Sequence, residues 1–411
     1  MATGLFLGAG ASFECGMPLV WDLTAEIRAW LTSEKLKDLN CHWRAHGGGY
    51  PDEVINSVIP SLVNLTMHYE HILGNLEVHR RREAKYNAAY NGMYVWLVDL
   101  VYQLLYQRHV LNENFITRSL RYLEGIAGLA HRDTPLWVFS LNHDLIVECV
   151  AAHYDVLIDS GLPHSGSLPL RDKNGARIGQ FPIQSLEGSQ FSASGLSFTD
   201  TAKPKINLIK VHGALDVFTV NDGYDIIKLM PVGGGVKGVL QSIRAANENL
   251  IYADPRLPGE KVHITNEIAY ADEAGEMQFM RRSLLAGAFK FDQRTPQVLP
   301  HAFLDQFRNY LNRVSRLICI GYGGGDTHIN SALQQWLEAN ADRQLELVAP
   351  APTRTCPSFL GHVASQVLVV HRFATDYLEP YALSPLSFFE SAAKKSLRRA
   401  RERQRQRRGF A

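Results

Sequence analysis

The chain has 411 residues, 46% of them apolar and 20% charged, with a formal net charge of +1. Those values exclude a disordered chain and a collagen-like repeat, and they leave room for two or three domains or one large domain with insertions. The charge is uneven: nine Lys or Arg and one Glu fall between Lys394 and Arg408, so that stretch carries +8 and the rest of the chain −7. A run of this kind either is solvated or meets an anionic partner, such as nucleic acid or an acidic protein face.

Five cysteines, at 15, 41, 149, 319 and 356, include no C-x-x-C pair. An odd number without that spacing reads as a reduced, cytoplasmic chain with no four-cysteine zinc site. No basic-then-apolar leader opens the sequence. The longest apolar-rich run, Tyr94 to Tyr106, contains Asp99 and Gln103 and is shorter than the roughly 20 residues of a membrane span. No membrane segment is expected.

In chain order, Leu5-Phe6-Leu7 is a short buried strand that runs into Gly8-Ala9-Gly10-Ala11-Ser12. Glycines there let the backbone turn sharply and approach a phosphate, and a following helix would aim free N–H groups at it. The spacing is not G-x-G-x-x-G, because position 13 is Phe. Leu23, Ile27, Trp30 and Leu31 predict a helix over Trp21 to Leu31. After the break at Gly47 to Pro51, apolar spacing predicts helices between Val54 and Leu76, with Pro60 as a kink or start. Further helices are expected over Asn91 to Val110 and Phe115 to Ala130, so about 22 to 130 reads as all-helical.

The period then changes. Leu136 to Leu141 is a strand that ends at Asn142-His143-Asp144, and Asp155 to Asp159 is another. Residues 160 to 204, rich in Gly, Ser and Pro, read as an irregular insertion. Asn207 to Val211 is a strand that ends at His212-Gly213, and Val239 to Asn249 is helical. An amphipathic helix from Phe303 to Val314 feeds a strand at Leu317 to Ile320, which ends in Gly321 to Asp326. A helix over Ile329 to Ala339 and strands at Leu345 to Val348 and Val367 to Val370 complete the series.

Short apolar strands alternating with helices predict an α/β fold, a Rossmann-like parallel sheet with an inserted all-helical domain. Residues 1–21 and 134–390 would form the sheet domain, 22–133 the helical insertion and 391–411 a basic C-terminal tail. In a parallel sheet ligands bind beyond the carboxyl ends of the strands. The four unusual strand ends would then cluster along one edge.

Taken in order, those four ends resemble the sirtuin family, the NAD-consuming enzymes named for silent information regulators. The matching stretches are G-A-G-A-S-x-x-x-G-M-P at Gly8 to Pro18, S-L-N-H-D at Ser140 to Asp144, K-V-H-G at Lys210 to Gly213 and G-Y-G-G-G-D-T-H-I-N at Gly321 to Asn330. With Y-E-H-I-L-G-N-L-E at Tyr69 to Glu77, the set looks like the bacterial sirtuin-like antiphage effectors. The resemblance implies NAD+ as substrate, with Asn142 and His212 catalytic. Gly8, Ala9, Gly10 and Ser12 would hold the pyrophosphate, and Asp144 would brace the Asn142 loop or the nicotinamide side. Gly321, Tyr322, Asp326 and Asn330 would lie by the adenosine, with Asp326 free for ribose hydroxyls or for capping the next helix. Tyr69 to Glu77 reads as helix packing and His143 as a supporting residue.

Two departures bear on the reaction. Deacylase sirtuins carry four zinc cysteines, and they follow the first Pro with an acidic-aromatic-Arg run where this chain has Leu19-Val20-Trp21-Asp22. Both absences favour NAD+ hydrolysis to nicotinamide and ADP-ribose over protein deacylation, with no zinc or other metal. Such effectors act as homo-oligomers or beside a sensor, such as a HerA-like hexameric ATPase or a short Argonaute, and they deplete NAD during phage infection. The alternatives are a non-catalytic module that binds NAD or ADP-ribose, and an NAD-dependent protein deacylase. A nuclease aided by the basic tail lacks a cluster of metal-binding carboxylates.

Overall fold

The computed structural model describes residues 2–257, 259–292, 297–350 and 356–407. Strands β1 (Thr3–Leu7), β2 (Leu136–Ser140) and β3 (Leu157–Asp159) come first, followed by β4 (His164–Arg171), β5 (Arg177–Leu186) and β6 (Lys205–Lys210). Next are β7 (Val217–Val220), β8 (Asp225–Leu229), β9 (His263–Ile264), β10 (Glu267–Ala271) and β11 (Met277–Arg282). The last three are β12 (Arg316–Ile320), β13 (Gln344–Val348) and β14 (Val367–Val370).

Seven of these form a wholly parallel sheet in the order β14-β13-β12-β1-β2-β6-β3. Every residue of β1, β2 and β6 is buried, which is why these strands read as unbroken apolar runs rather than alternating ones. Leu5 lies between Val138 and Ile318 in register, so β1 is at the centre. From β1 the chain proceeds to β2 on one side, whereas β12, β13 and β14 build outward on the other. The switch point of this Rossmann-like α/β sheet therefore falls between β1 and β12, the position where such sheets bind ligands.

Every regular element described between Val20 and Arg132 is helical. Pro60 lies inside the helix Asp52–Val63. The helix expected over Phe115 to Ala130 is three pieces, with a tight turn at Leu120–Leu123 between Glu113–Ser119 and Glu124–Arg132. The long helix Asn87–Leu111 buries Tyr90, Met93, Val98 and Tyr102 and joins the sheet region through Tyr102, whose hydroxyl donates to the Leu215 carbonyl at 3.2 Å. No described helix is long and apolar enough to cross a membrane.

The expectation of an irregular insertion over residues 160 to 204 is overturned. A second, antiparallel sheet runs in the order β4-β5-β8-β7-β11-β10-β9, and β4 and β5 are its first hairpin. Pro169 is tolerated because β4 is an edge strand. Half-exposed strands that pair across long sequence separations carry little local pattern. One local signal was nonetheless present: Asn174-Gly175 is a hairpin turn, with Gly175 at φ 82° and Asp172 Oδ1 accepting from the amides of Asn174 and Ala176.

The basic residues from Lys394 to Arg407 lie on a helix, Phe388–Arg407, whose inner face packs against the body, and Arg408 lies outside the described residues. Arg398 pairs with Glu14 at 2.8 Å and with Asp376 at 2.7 Å. Arg401 donates to the Met17 carbonyl at 2.8 Å and lies 4.3 Å over the Phe13 ring, while Lys395, Arg399 and Arg403 face solvent. Glu14 is 3% exposed, so removing its cation strands a buried carboxylate. Arg398→Ala is expected to lower the free energy of urea unfolding by about 3 kcal/mol. Arg399→Ala should change it by less than about 0.5 kcal/mol. Equal effects would show that the inner ion pairs contribute nothing.

Glu77, on the helix Tyr69–Arg82, is buried, and its Oε2 has no hydrogen-bond partner among the described residues. Burial pushes this carboxyl up to about 7, against the opposing pull of Arg80 and Arg81. A folded-state value above the unfolded one gives stability that is present at low pH and lost as pH rises through 7. Wild type is thus expected to lose about 3 kcal/mol more than Glu77→Gln between about pH 5 and about pH 8 in parallel urea melts. Superimposable pH dependences would refute this.

Candidate active site

The two glycine loops meet at the switch point because neither has a side chain in the way. The Gly8 amide donates to the Ile320 carbonyl at 3.0 Å and the Gly10 amide to the Gly321 carbonyl at 3.1 Å. A Cβ on Gly8 would lie 2.7 Å from the Gly321 carbonyl oxygen, and Gly321 itself has φ 68°. The helix expected over Trp21 to Leu31 is present as Val20–Trp30. Two tight turns, Ala9–Ala11 and Phe13–Cys15, intervene before the helix Val20–Trp30. The amides of Gly8 and Gly10 are thus bound within the protein.

Asn142 and His212 sit side by side at the same sheet edge. Ser140 of β2 and Lys210 of β6 are register partners, and each functional candidate lies two residues beyond. Asn142 Nδ2 donates to the Gly8 carbonyl at 3.0 Å and to Ser12 Oγ at 3.2 Å. The Asn142 side chain therefore ties its loop to the glycine loop and keeps Oδ1 for other contacts. Asp144 Oδ1 accepts from the Ile146 amide at 3.1 Å, which fixes the turn into the helix Ile146–His153. Buried Lys210 stands beneath, donating to the carbonyls of Asn142 and Asp144 and pairing with Glu148 at 3.3 Å.

His212 is 2% exposed. Its carbonyl accepts from the Leu285 amide at 2.9 Å, and its Nε2 lies 2.9 Å from Nε2 of His328. Burial, with the charge of Lys290 nearby, holds the His212 imidazole well below its ordinary value. A neutral imidazole keeps a lone pair on one ring nitrogen. Burial likewise lowers His328 and His143 to about 4. His143 Nδ1 meets the Gly213 carbonyl at 3.3 Å, a supporting position.

Asp326 occupies the N-cap position of the helix Thr327–Glu338, but its side chain makes no cap hydrogen bond. Its Oδ1 instead pairs with Lys290 at 2.9 Å, and Lys290 also pairs with Glu70 at 2.9 Å. Burial raises the Asp326 carboxyl, but the Lys290 ammonium outweighs it and the net shift is down. Lys290 is raised because Glu70 and Asp326 outweigh its burial. Two carboxylates and one ammonium beside neutral imidazoles leave the cluster with one excess negative charge. Tyr322 and Asn330 are engaged within their own loop: the Tyr322 hydroxyl meets Asn330 Oδ1 at 2.8 Å, and Asn330 Nδ2 donates to the Gly324 carbonyl at 2.9 Å. Asp326 and Asn330 therefore do not face one ligand in this state.

Sequence reasoning missed Lys290, Lys210, Glu70 and His328. The last three lie inside quoted motifs, where Glu70 passed as part of a packing helix. Tyr69, Ile72 and Leu73 do pack, but Glu70 reaches the site. Lys290 belongs to no motif. It is carried by a segment that covers His212, with the Phe291 ring 6.3 Å from His212 and 5.3 Å from His328. A cleft of about 260 Å³ opens elsewhere, between Asp99 on the long helix and Lys261 and Arg282 of the second-sheet region. The strand-end chemistry is not in that cleft.

The parallel sheet, its switch point and the two glycine loops define an α/β protein of Rossmann-like architecture. No protein-family model and no curated protein sequence matches this chain. Among solved structures it is similar to a chain described as a Sir2 homologue, a point mutant in complex with ADP-ribose. That chain is 11% identical, with a TM-score of 0.37, over 97% of this chain and 92% of the other.

Proposed function

We propose that this protein hydrolyses NAD+ at the nicotinamide–ribose bond, giving nicotinamide and ADP-ribose. The observation that carries the reading is the convergence of Asn142, His212 and both glycine loops at the carboxyl edge of the parallel sheet. Breaking this bond needs no general acid, because nicotinamide leaves as a neutral ring from a cation. What forms is an oxocarbenium-like ribosyl centre, as in glycoside hydrolysis. The excess negative charge of Asp326, Glu70 and Lys290 favours that cation. Neutral His212 takes the proton of the attacking water, and Asn142 Oδ1 orients the water or a ribose hydroxyl. In this reading the glycine loop from Gly8 to Ser12 holds the pyrophosphate.

Because His212 and Asn142 are nearly inaccessible, the segment carrying Lys290 and Phe291 moves aside for the dinucleotide. The same enclosure then keeps bulk water from the reacting centre. NAD depletion in phage-infected bacteria, a homo-oligomeric assembly and a HerA-like or Argonaute partner are proposed from the motif resemblance. Nucleic acid remains a proposed partner for the solvent-facing basic residues of the C-terminal helix. The test is incubation of the full chain with NAD+, with and without such partners, followed by assay of free nicotinamide. Stoichiometric nicotinamide and ADP-ribose are expected. Binding of NAD+ without release under every partner condition would replace the enzyme by a non-catalytic binding module.

A further inference from the structure

We propose that His212, His328 and Asp326 form a binding site for a divalent transition-metal ion of the Zn²⁺ type, and that this ion and the dinucleotide exclude one another. Their donor atoms, two imidazole nitrogens and a carboxylate oxygen, all lie within 4.8 Å of one another. Nitrogen and carboxylate donors at roughly 2.0–2.2 Å are the ordinary set for zinc, and three protein ligands leave one position open. In a tetrahedral site such donors stand about 3.3 Å apart. The imidazole nitrogens, at 2.9 Å, need part by only a few tenths of an ångström.

Four further features suit an ion. Two imidazoles directed at each other through the same nitrogen satisfy one lone pair between them, whereas a metal would satisfy both. The pairing of Lys290 with Asp326 Oδ1 leaves Oδ2 without a partner among the described residues, and a hydrogen-bonded outer oxygen is how ligating carboxylates are ordinarily braced. The excess charge of Glu70, Asp326 and Lys290 is negative, so a dication is not repelled. Phe291 supplies the apolar wall over both rings.

Exclusion rests on the proposed hydrolysis, since an ion on His212 Nε2 occupies the lone pair that accepts the proton. Binding does not rest on it and is read without turnover. Full-length chain, freed of metal by chelator and dialysis, would be titrated with Zn²⁺ by calorimetry and with Co²⁺ by visible absorption. One equivalent per chain is expected, with the intense absorption of four-coordinate Co²⁺. His328→Ala and Asp326→Asn should each weaken binding at least about tenfold. The exposed pair His42 and His46, whose rings are 4.4 Å apart on one helix, is the competing site. His42→Ala should leave the absorption unchanged. Loss with His42→Ala and retention with His328→Ala would overturn the proposal, as would no binding by wild type. Circular dichroism melts of each variant confirm folding, and His328→Gln serves where His328→Ala does not fold. If nicotinamide release occurs, Zn²⁺ should suppress it and chelator restore it. Release unaffected by bound Zn²⁺ would refute exclusion, and absence of release would refute the hydrolase reading alone.

Discussion

His212→Ala is expected to lower the rate of nicotinamide release by about 10²- to 10⁴-fold, the usual contribution of a positioned base. The loss should appear in kcat with little change in KM, as for a group that acts in the transition state rather than in binding. Asn142→Ala is expected to cause a loss of the same order with a different signature. Its Nδ2 also bonds the Gly8 carbonyl and Ser12 Oγ, so its removal slackens the glycine loop. KM should rise together with the fall in kcat, and the melting temperature should drop. His143→Ala is the internal comparison, because its Nδ1 reaches only the Gly213 carbonyl and its effect should be much smaller. Steady-state assays of nicotinamide release on the three variants check this. Wild-type rates for either His212→Ala or Asn142→Ala would remove the site assignment.

The second large effect is expected from one methyl group. In Gly8→Ala the new Cβ would stand 2.7 Å from both the Gly321 carbonyl oxygen and Tyr322 Cα. Those are backbone atoms of the neighbouring loop and cannot rotate away. The methyl must push the ends of β1 and β12 apart, against the hydrogen bonds from Gly8 to Ile320 and from Gly10 to Gly321. Overpacking of this kind costs about 1–3 kcal/mol or more. Gly8→Ala should therefore lower the urea midpoint and, if the same loop holds the pyrophosphate as proposed, abolish nicotinamide release. Gly361→Ala is the control: a methyl group there would meet nothing within 4 Å, so both properties should stay unchanged. A Gly8→Ala protein as stable and as active as wild type would mean that the two loops are not in contact.

How far the sequence could be read depended on how local the pattern was. The apolar runs at Leu5-Phe6-Leu7, Leu136 to Leu141, Asn207 to Val211 and Leu317 to Ile320 are buried on both faces, so they were visible without their partners. Strands β4 and β5 were not, because Gly, Ser and Pro there acquire strand character only by pairing with each other and with β8. The basic run near the C-terminus was legible as charge. That Arg398 and Arg401 face Glu14 and Met17, more than 380 positions away, had no local signature.

The opening of the site followed the same division. By itself the sequence determined which residues end the central strands, and so that Gly8, Asn142, His212 and Asp326 belong to one edge of a parallel sheet. A short apolar strand and the residue that stops it are adjacent in the chain, and their chemistry is readable there. Only the tertiary structure decided that Lys290 joins Glu70, 220 positions earlier, to Asp326, 36 positions later. It alone decided that His328 meets His212 across 116 positions. Ion pairs and ring contacts between distant segments are fixed by how sheets, helices and covering loops pack, and packing at that range leaves no periodicity in the chain.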